Sequence, residues 1–250
     1  LPAYRWIDFP AYWGGSYIVT AGHTCSSAFG VTGINGAATY MLTAAHCGRG
    51  GSQWRTGAVA LGDGTVVVNT LGEIIPGRDL DRDGAAILTR DGSGSHVYVG
   101  ASINPDMGDL GSNTGVRVGG AANSFEGDLV CTGGAPSGTI CGIRVAATGV
   151  TVVYDPPMND VGRVTGMVNA QTVNEAVAGQ GDSGGPVYSI NPSSNSITAL
   201  GIISGISLGP NDQDVRPCRG WAPANRICSR SMFYGPVLDI MRTIGVRINT

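Results

Sequence analysis

Short runs enriched in Val, Ile, Thr and Tyr recur along the whole chain, and Gly, Asn, Asp or Pro punctuates the stretches between them. They lie at 16–20, 28–32, 39–43, 65–71, 85–88, 96–99, 115–118, 127–131, 140–145, 149–154, 162–168, 185–190, 197–203 and 231–234. β-Branched and aromatic residues suit a pleated surface, and the punctuating residues supply turns. Many short strands with tight turns predict an all-β fold, a sandwich or a barrel. The 41 glycines and 13 prolines follow no Gly-x-y period, so collagen is excluded and the glycines read as turns. One segment has helical spacing. After Gly235-Pro236, the apolar residues Val237, Leu238, Met241 and Ile244 recur on one face, Pro suits the first turn and Gly245 marks the stop.

The chain has 250 residues, enough for one or two domains with a sizeable core. A turn-rich stretch at 104–113 is read as the connection between a first half, 1–110, and a second, 111–250. Only 13% of residues are charged, which argues against disorder and coiled coils. The net charge is −3, and the 15 basic residues are all Arg with no basic run, so no nucleic-acid partner is expected. No apolar stretch approaches the roughly 20 residues that span a bilayer. Six cysteines fit three disulfides, and no paired Cys-x-x-Cys suggests zinc. Disulfides imply an oxidising compartment. With Leu1-Pro2-Ala3 at its start, the chain reads as the mature part of a secreted, extracellular protein.

The segment Gly181-Asp182-Ser183-Gly184-Gly185-Pro186 concentrates glycine around one serine. A serine hydroxyl is a weak nucleophile that needs a neighbouring base and N–H donors for the oxyanion it creates. The amides of Gly181 and Ser183 are candidates for those donors. The segment also fits the Gly-x-Ser-x-Gly elbow of α/β-hydrolases, in which the histidine follows the serine. Here His23, His46 and His96 all precede Ser183, so that fold fails on chain order. The order His, Asp, Ser remains open. His46 stands in Leu42-Thr43-Ala44-Ala45-His46-Cys47, beside a cysteine that could tether it; His23 and His96 have unremarkable surroundings.

These two segments resemble the paired signatures of chymotrypsin-like serine proteases. Residues 23–32, the Cys131 to Cys141 stretch and the ending Phe233-Tyr234-Gly235-Pro236 are similar to the secreted bacterial, streptogrisin-like branch. The resemblance spans most of 15–248. It implies two six-stranded antiparallel β-barrels with a C-terminal α-helix, the first carrying His46 and Asp83 and the second Ser183. Asp79, Asp81 and Asp83 compete for the acid. Asp83 directly precedes a short apolar strand, as the acid does in the family, although Gly84 stands where a bulkier residue is usual. Asp79-x-Asp81-x-Asp83-Gly84 also starts like a calcium loop, but its twelfth position is Arg90 and no helices flank it, so no metal is expected. Asp79 and Asp81 are read as solvated turn residues.

The resemblance further implies the pairings Cys25–Cys47 and Cys131–Cys141, which leaves Cys218–Cys228 to staple an Arg- and Pro-rich insertion. The family's usual cysteine four residues before the nucleophile is Gly179 here, so the pocket walls must be held otherwise. Asp182 is expected to find a partner other than a chain terminus. The specificity pocket is expected at Val177, Ala178, Gly179, Gln180, Ser204, Gly205 and Ile206. Val177 in place of an acidic residue disfavours cationic substrates, and Ile206 narrows the pocket. The expected activity is a monomeric serine endopeptidase with no cofactor, cutting polypeptides after small or medium apolar residues. The alternative is a silent homologue that only binds.

Overall fold

The computed structural model describes residues 3–60, 66–102 and 110–250. Its strands, in chain order, are β1 (Tyr12–Gly14), β2 (Tyr17–Thr20), β3 (His23–Ser26), β4 (Gly30–Gly33), β5 (Thr39–Thr43), β6 (Gln53–Ala60), β7 (Val66–Ile74), β8 (Ala85–Thr89), β9 (Ser93–Tyr98) and β10 (Gly115–Ala121). They continue with β11 (Leu129–Thr132), β12 (Ile140–Met158), β13 (Val161–Gln171), β14 (Ala178–Gly179), β15 (Pro186–Asn191), β16 (Ser196–Ser207), β17 (Cys228–Ser229), β18 (Ser231–Pro236) and β19 (Val246–Ile248). Each run predicted from sequence meets one of these strands.

The second barrel closes through hydrogen bonds alone. Its order is β16-β15-β11-β12-β13-β18, and β18 pairs back onto β16. All six of these pairings are antiparallel. The first barrel runs β4-β5-β8-β7-β6-β2-β3, again antiparallel throughout. Its edge strands β3 and β4 are separated by three residues only, so one bent segment of chain joins the two edges. The expected pair of six-stranded barrels is therefore present when β3 and β4 are counted as one bent strand of the first. Two pairings in the flanking strands, β1 with β9 and β10 with β16, are parallel.

One apolar cluster runs through the first barrel and across the contact between barrels, from Phe29, Met41, Leu42 and Trp54 to Met167, Tyr188 and Ile202; another fills the second barrel. The helix α1 (Val237–Ile244) buries Val237, Ile240 and Met241, the spacing of one helix face. Gly245 takes the left-handed conformation at φ 79° and returns its N–H to Met241. β19 then pairs with β4, so the end of the chain ties the first barrel. Of the connection at 104–113, residues 104–109 lie outside the described residues.

Candidate active site

His46 sits where β5 gives way to a single 3-10 turn, Ala45–Cys47. Ala44 and Ala45 are fully buried, so only small side chains fit in this stretch. Cys47 is bridged to Cys25 on β3, with an S–S distance of 2.01 Å. The other pairings, Cys131–Cys141 and Cys218–Cys228, are also as expected. His46 Nδ1 lies 2.6 Å from Asp83 Oδ2, and the backbone N–H of His46 donates to Asp83 Oδ1 at 2.7 Å. The carboxylate is an acceptor, so the ring proton resides on Nδ1 and Nε2 keeps its lone pair. Burial pulls the imidazole pKa down, but the charge of Asp83 and its hydrogen bond outweigh burial and hold it above the ordinary histidine value.

Asp83 is fully buried and adopts φ 55°, which is uncommon outside glycine. Its turn is fixed from several sides. Asp79 and Gly84 exchange backbone hydrogen bonds, and the Arg82 N–H donates to Asp79 Oδ1 at 3.1 Å. Asp79 is thus not a solvated turn residue: it is 3% exposed and braces the loop, while Asp81 is exposed as expected. Gly84 has a packing reason as well. A Cβ there would lie 2.4 Å from Ile240 Cγ2, so α1 occupies the space that a larger residue needs. Ser204 Oγ donates to Asp83 Oδ2 at 2.5 Å, and Tyr154 O–H lies 2.7 Å from Ser204 Oγ. The Ser204 O–H is engaged in its bond to Asp83, so Tyr154 is the donor in that second bond.

Ser183 and His46 line one cleft of about 260 Å³. The loop before β15 that carries Ser183 is stapled to the first barrel by Ser26 on β3. The Ser26 N–H donates to the Ser183 carbonyl at 2.7 Å and its Oγ donates to the Gly181 carbonyl at 2.9 Å. Gly184, at φ 81°, has no room for a side chain: a Cβ would meet Thr43 Oγ1 at 2.2 Å and the Ser26 carbonyl at 2.5 Å. In this loop the N–H groups of Asp182, Gly184 and Gly185 have backbone acceptors. Those of Gly181 and Ser183 have none among the described residues. Asp182, 1% exposed, accepts from Ser137 N and Oγ, from the Gly179 N–H at 2.7 Å and from Arg226 Nη2 at 2.8 Å.

Of the residues expected at the specificity pocket, Gly179, Gln180, Ser204, Gly205 and Ile206 line the cleft. Val177 and Ala178 do not; both are buried in the core of the second barrel. The remaining walls are Tyr154, Met158, Ile203, Leu208 and Ile227. The missing cysteine at Gly179 is explained by β17: Gly179 pairs with Cys228, whose sulfur lies 2.2 Å from where a Cβ on Gly179 would be. The Cys218–Cys228 loop therefore takes over the support of this wall.

The tip of the β12–β13 hairpin reaches the histidine loop. Asn159 Nδ2 donates to the His46 carbonyl at 2.7 Å, and Arg78 Nη1 bonds the carbonyls of Ala45, Gly48 and Asn159. Ser26, Arg78, Asn159, Tyr154 and Arg226 were not singled out from sequence. None carries a local motif, and each acts across a long sequence separation. Among the described residues, the one cluster with metal-ligating atoms is Cys25, His46 and Cys47, whose sulfurs are committed to a disulfide.

Residues 14–217 match the trypsin family profile. Glutamyl endopeptidase 2 of Streptomyces griseus is 31% identical over 195 residues, 78% of this chain and 85% of that protein. Serine protease 2 of Streptomyces fradiae is 31% identical over 197 residues, covering 77% and 92% of the two chains. Thermobifida fusca Protease A shares the fold with a TM-score of 0.64, at 22% identity over 95% of this chain and 98% of that one. A glutamic acid specific serine protease, described as using a histidine triad in substrate binding, superposes with a TM-score of 0.59 at 26% identity over 94% and 99%. With its two barrels, its cleft and these relatives, the chain belongs to the trypsin family and is a serine endopeptidase, a hydrolase acting on polypeptides.

Proposed function

We propose that Ser183 is the nucleophile, His46 the general base and acid, and Asp83 the carboxylate that orients His46. On this reading residues 1–110 supply the base and its partner, and residues 111–250 supply the nucleophile. Ser183 Oγ attacks the substrate carbonyl carbon as its proton passes to His46 Nε2. The oxyanion accepts hydrogen bonds from Gly181 N–H and Ser183 N–H. Collapse of the tetrahedral adduct breaks the C–N bond, and His46 returns the proton to the departing amine. Water then repeats the sequence on the acyl-enzyme and frees Ser183. These steps need no cofactor. The observation that carries this reading is that His46, paired with the buried Asp83, lines one cleft together with Ser183.

The cleft further supports cleavage after small or medium apolar residues. Its apolar walls are Ile203, Ile206, Leu208, Ile227 and Met158; Gly179, Gln180 and Gly205 also line it, as do Tyr154 and Ser204, whose hydroxyls are engaged in the bonds that lead to Asp83. Glutamate recognition, as named for two of the relatives, needs positive or proton-donating groups in the pocket. Here His46 is the only histidine on the cleft wall among the described residues; His96 stacks on Trp13, and His23 is exposed on β3. Arg226 is close but committed to Asp182. A buried substrate charge without a partner is costly. The three disulfides support work outside the cell as a monomer, since one chain supplies every group of the site. Cleavage of a peptide library randomised at the acyl-side residue tests this. Ala, Val, Leu and Met should exceed Glu, Arg and Lys by at least about 100-fold in kcat/KM; preference for Glu would overturn the assignment.

A further inference from the structure

The Arg226 side chain is 2% exposed, and it lies in the loop closed by Cys218–Cys228. Its guanidinium is fully committed. Nη1 donates to the carbonyls of Arg219 and Trp221, Nη2 to Ser137 Oγ and Asp182 Oδ2, and Nε to the Gln180 carbonyl at 2.8 Å. Two of these acceptors, Gln180 and Asp182, flank Gly181.

The bond to Gln180 has a directional consequence. The Gln180 carbonyl and the Gly181 N–H belong to one planar trans peptide, so they point opposite ways. Anchoring the carbonyl on Arg226 aims the Gly181 N–H away from Arg226. Gly181, at φ 89°, could otherwise rotate this peptide at little steric cost, since glycine tolerates both halves of φ space. A flipped peptide would present a carbonyl oxygen where a donor is needed. Residue 180 is held a second and third time by Ile227, through Gln180 N–H to the Ile227 carbonyl and Ile227 N–H to Gln180 Oε1, both at 3.0 Å. The disulfide limits the freedom of this loop, so its three contacts arrive together.

We propose that Arg226 is a positioning residue that latches the Gln180–Gly181 peptide in the orientation that makes Gly181 an oxyanion donor, an inference that rests on the serine-protease reading above. Asp182 supplies the countercharge that keeps the guanidinium buried. A lysine could satisfy Asp182 but cannot also reach the Gln180 carbonyl with the same planar fork.

The test uses the full chain with Arg226→Ala and Arg226→Lys, checked for folding by circular dichroism. Peptide turnover is measured alongside inhibition by a peptide boronic acid, whose tetrahedral adduct uses the oxyanion site, and by the product peptide, which does not. Loss of one oxyanion donor predicts a kcat lower by about 10²–10³. Boronate affinity should fall in parallel, with KM and product affinity changed less than about threefold, and added guanidinium should restore part of the kcat of Arg226→Ala. If Arg226→Ala does not fold, Arg226→Lys alone carries the test, with kcat expected at least about tenfold low. A folded Arg226→Lys with wild-type kcat, or a kcat loss without loss of boronate affinity, overturns the latch. A wild-type chain that cleaves no peptide overturns the protease reading instead.

Discussion

Replacing Asp83 by Asn tests how the carboxylate is used. Three donors converge on it: His46 Nδ1–H at 2.6 Å and Ser204 Oγ–H at 2.5 Å on Oδ2, and the His46 backbone N–H at 2.7 Å on Oδ1. An amide has one acceptor oxygen and one NH₂ group, so it cannot satisfy both sides. With its oxygen towards Nδ1, the NH₂ opposes a buried N–H at 2.7 Å. With its oxygen towards that N–H, the NH₂ donates to Nδ1 and forces the imidazole proton onto Nε2, which then cannot take the proton of Ser183. The second arrangement leaves no buried backbone donor unpaired and is favoured. The expected loss in kcat is about 10⁴, equivalent to roughly 5.5 kcal/mol of transition-state stabilisation. The misplaced polar contact costs about 1–3 kcal/mol of stability, so the protein stays folded. The assay is kcat on a peptide substrate, with thermal unfolding as the control. Asp81→Asn, on an exposed side chain, should be silent. A folded Asp83→Asn variant within tenfold of wild type, or an equal loss in Asp81→Asn, would refute the assignment.

Further outcomes follow from the same geometry. Gly84→Ala places a Cβ 2.4 Å from Ile240 Cγ2, and overpacking should cost about 1–3 kcal/mol and lower kcat by moving Asp83. Adding Ile240→Ala should recover part of the activity, and strict additivity in a double-mutant cycle would argue against the contact. The raised pKa of His46 means that the neutral base appears only above the ordinary value of about 6.5. The rising limb of kcat/KM against pH should therefore have its midpoint above that value and shift down in Asp83→Asn; a wild-type midpoint at or below that value contradicts this. Burial pushes the Asp8 carboxyl up to about 6 against hydrogen bonds from Trp13, Ser16, Tyr98 and Phe9. The unfolded value is about 3.9, so the folded chain holds a proton that the unfolded chain releases between these pH values. Stability from this group is present below about pH 4 and lost by about pH 6, roughly 3 kcal/mol in all. Urea unfolding of an inactive Ser183→Ala chain, with a carbon-13 titration of Asp8, checks it; a carboxyl midpoint below 4 contradicts it.

The residues proposed to carry the chemistry were legible because their constraints are local. His46 and Ser183 stand in segments whose small residues are required by contact, as at Ala44, Ala45 and Gly184. Asp83 was proposed from its place before the apolar strand β8. What sequence missed depends on distant contacts. Arg226 is one of four arginines between 216 and 230, and nothing nearby distinguishes it from Arg216, Arg219 or Arg230. Asp79 looks like a polar turn residue, but its burial comes from how the 79–84 loop closes on itself. The runs at 140–145 and 149–154 read as two strands, yet they form the single strand β12. Gly149, at φ 71°, lies within a stretch of register shifts against β13 and does not end the strand. Val177 was placed in the pocket by counting from Ser183, whereas the pairing of β14 with β17 turns it into the core.

Activation of Ser183 by His46 underlies every step proposed above. A fluorophosphonate probe, followed by peptide mapping, reads this directly. One modified residue is expected, Ser183, with labelling slowed by several orders of magnitude in His46→Ala. Label on another residue, unchanged labelling without His46, or no label on the correctly folded chain would contradict it.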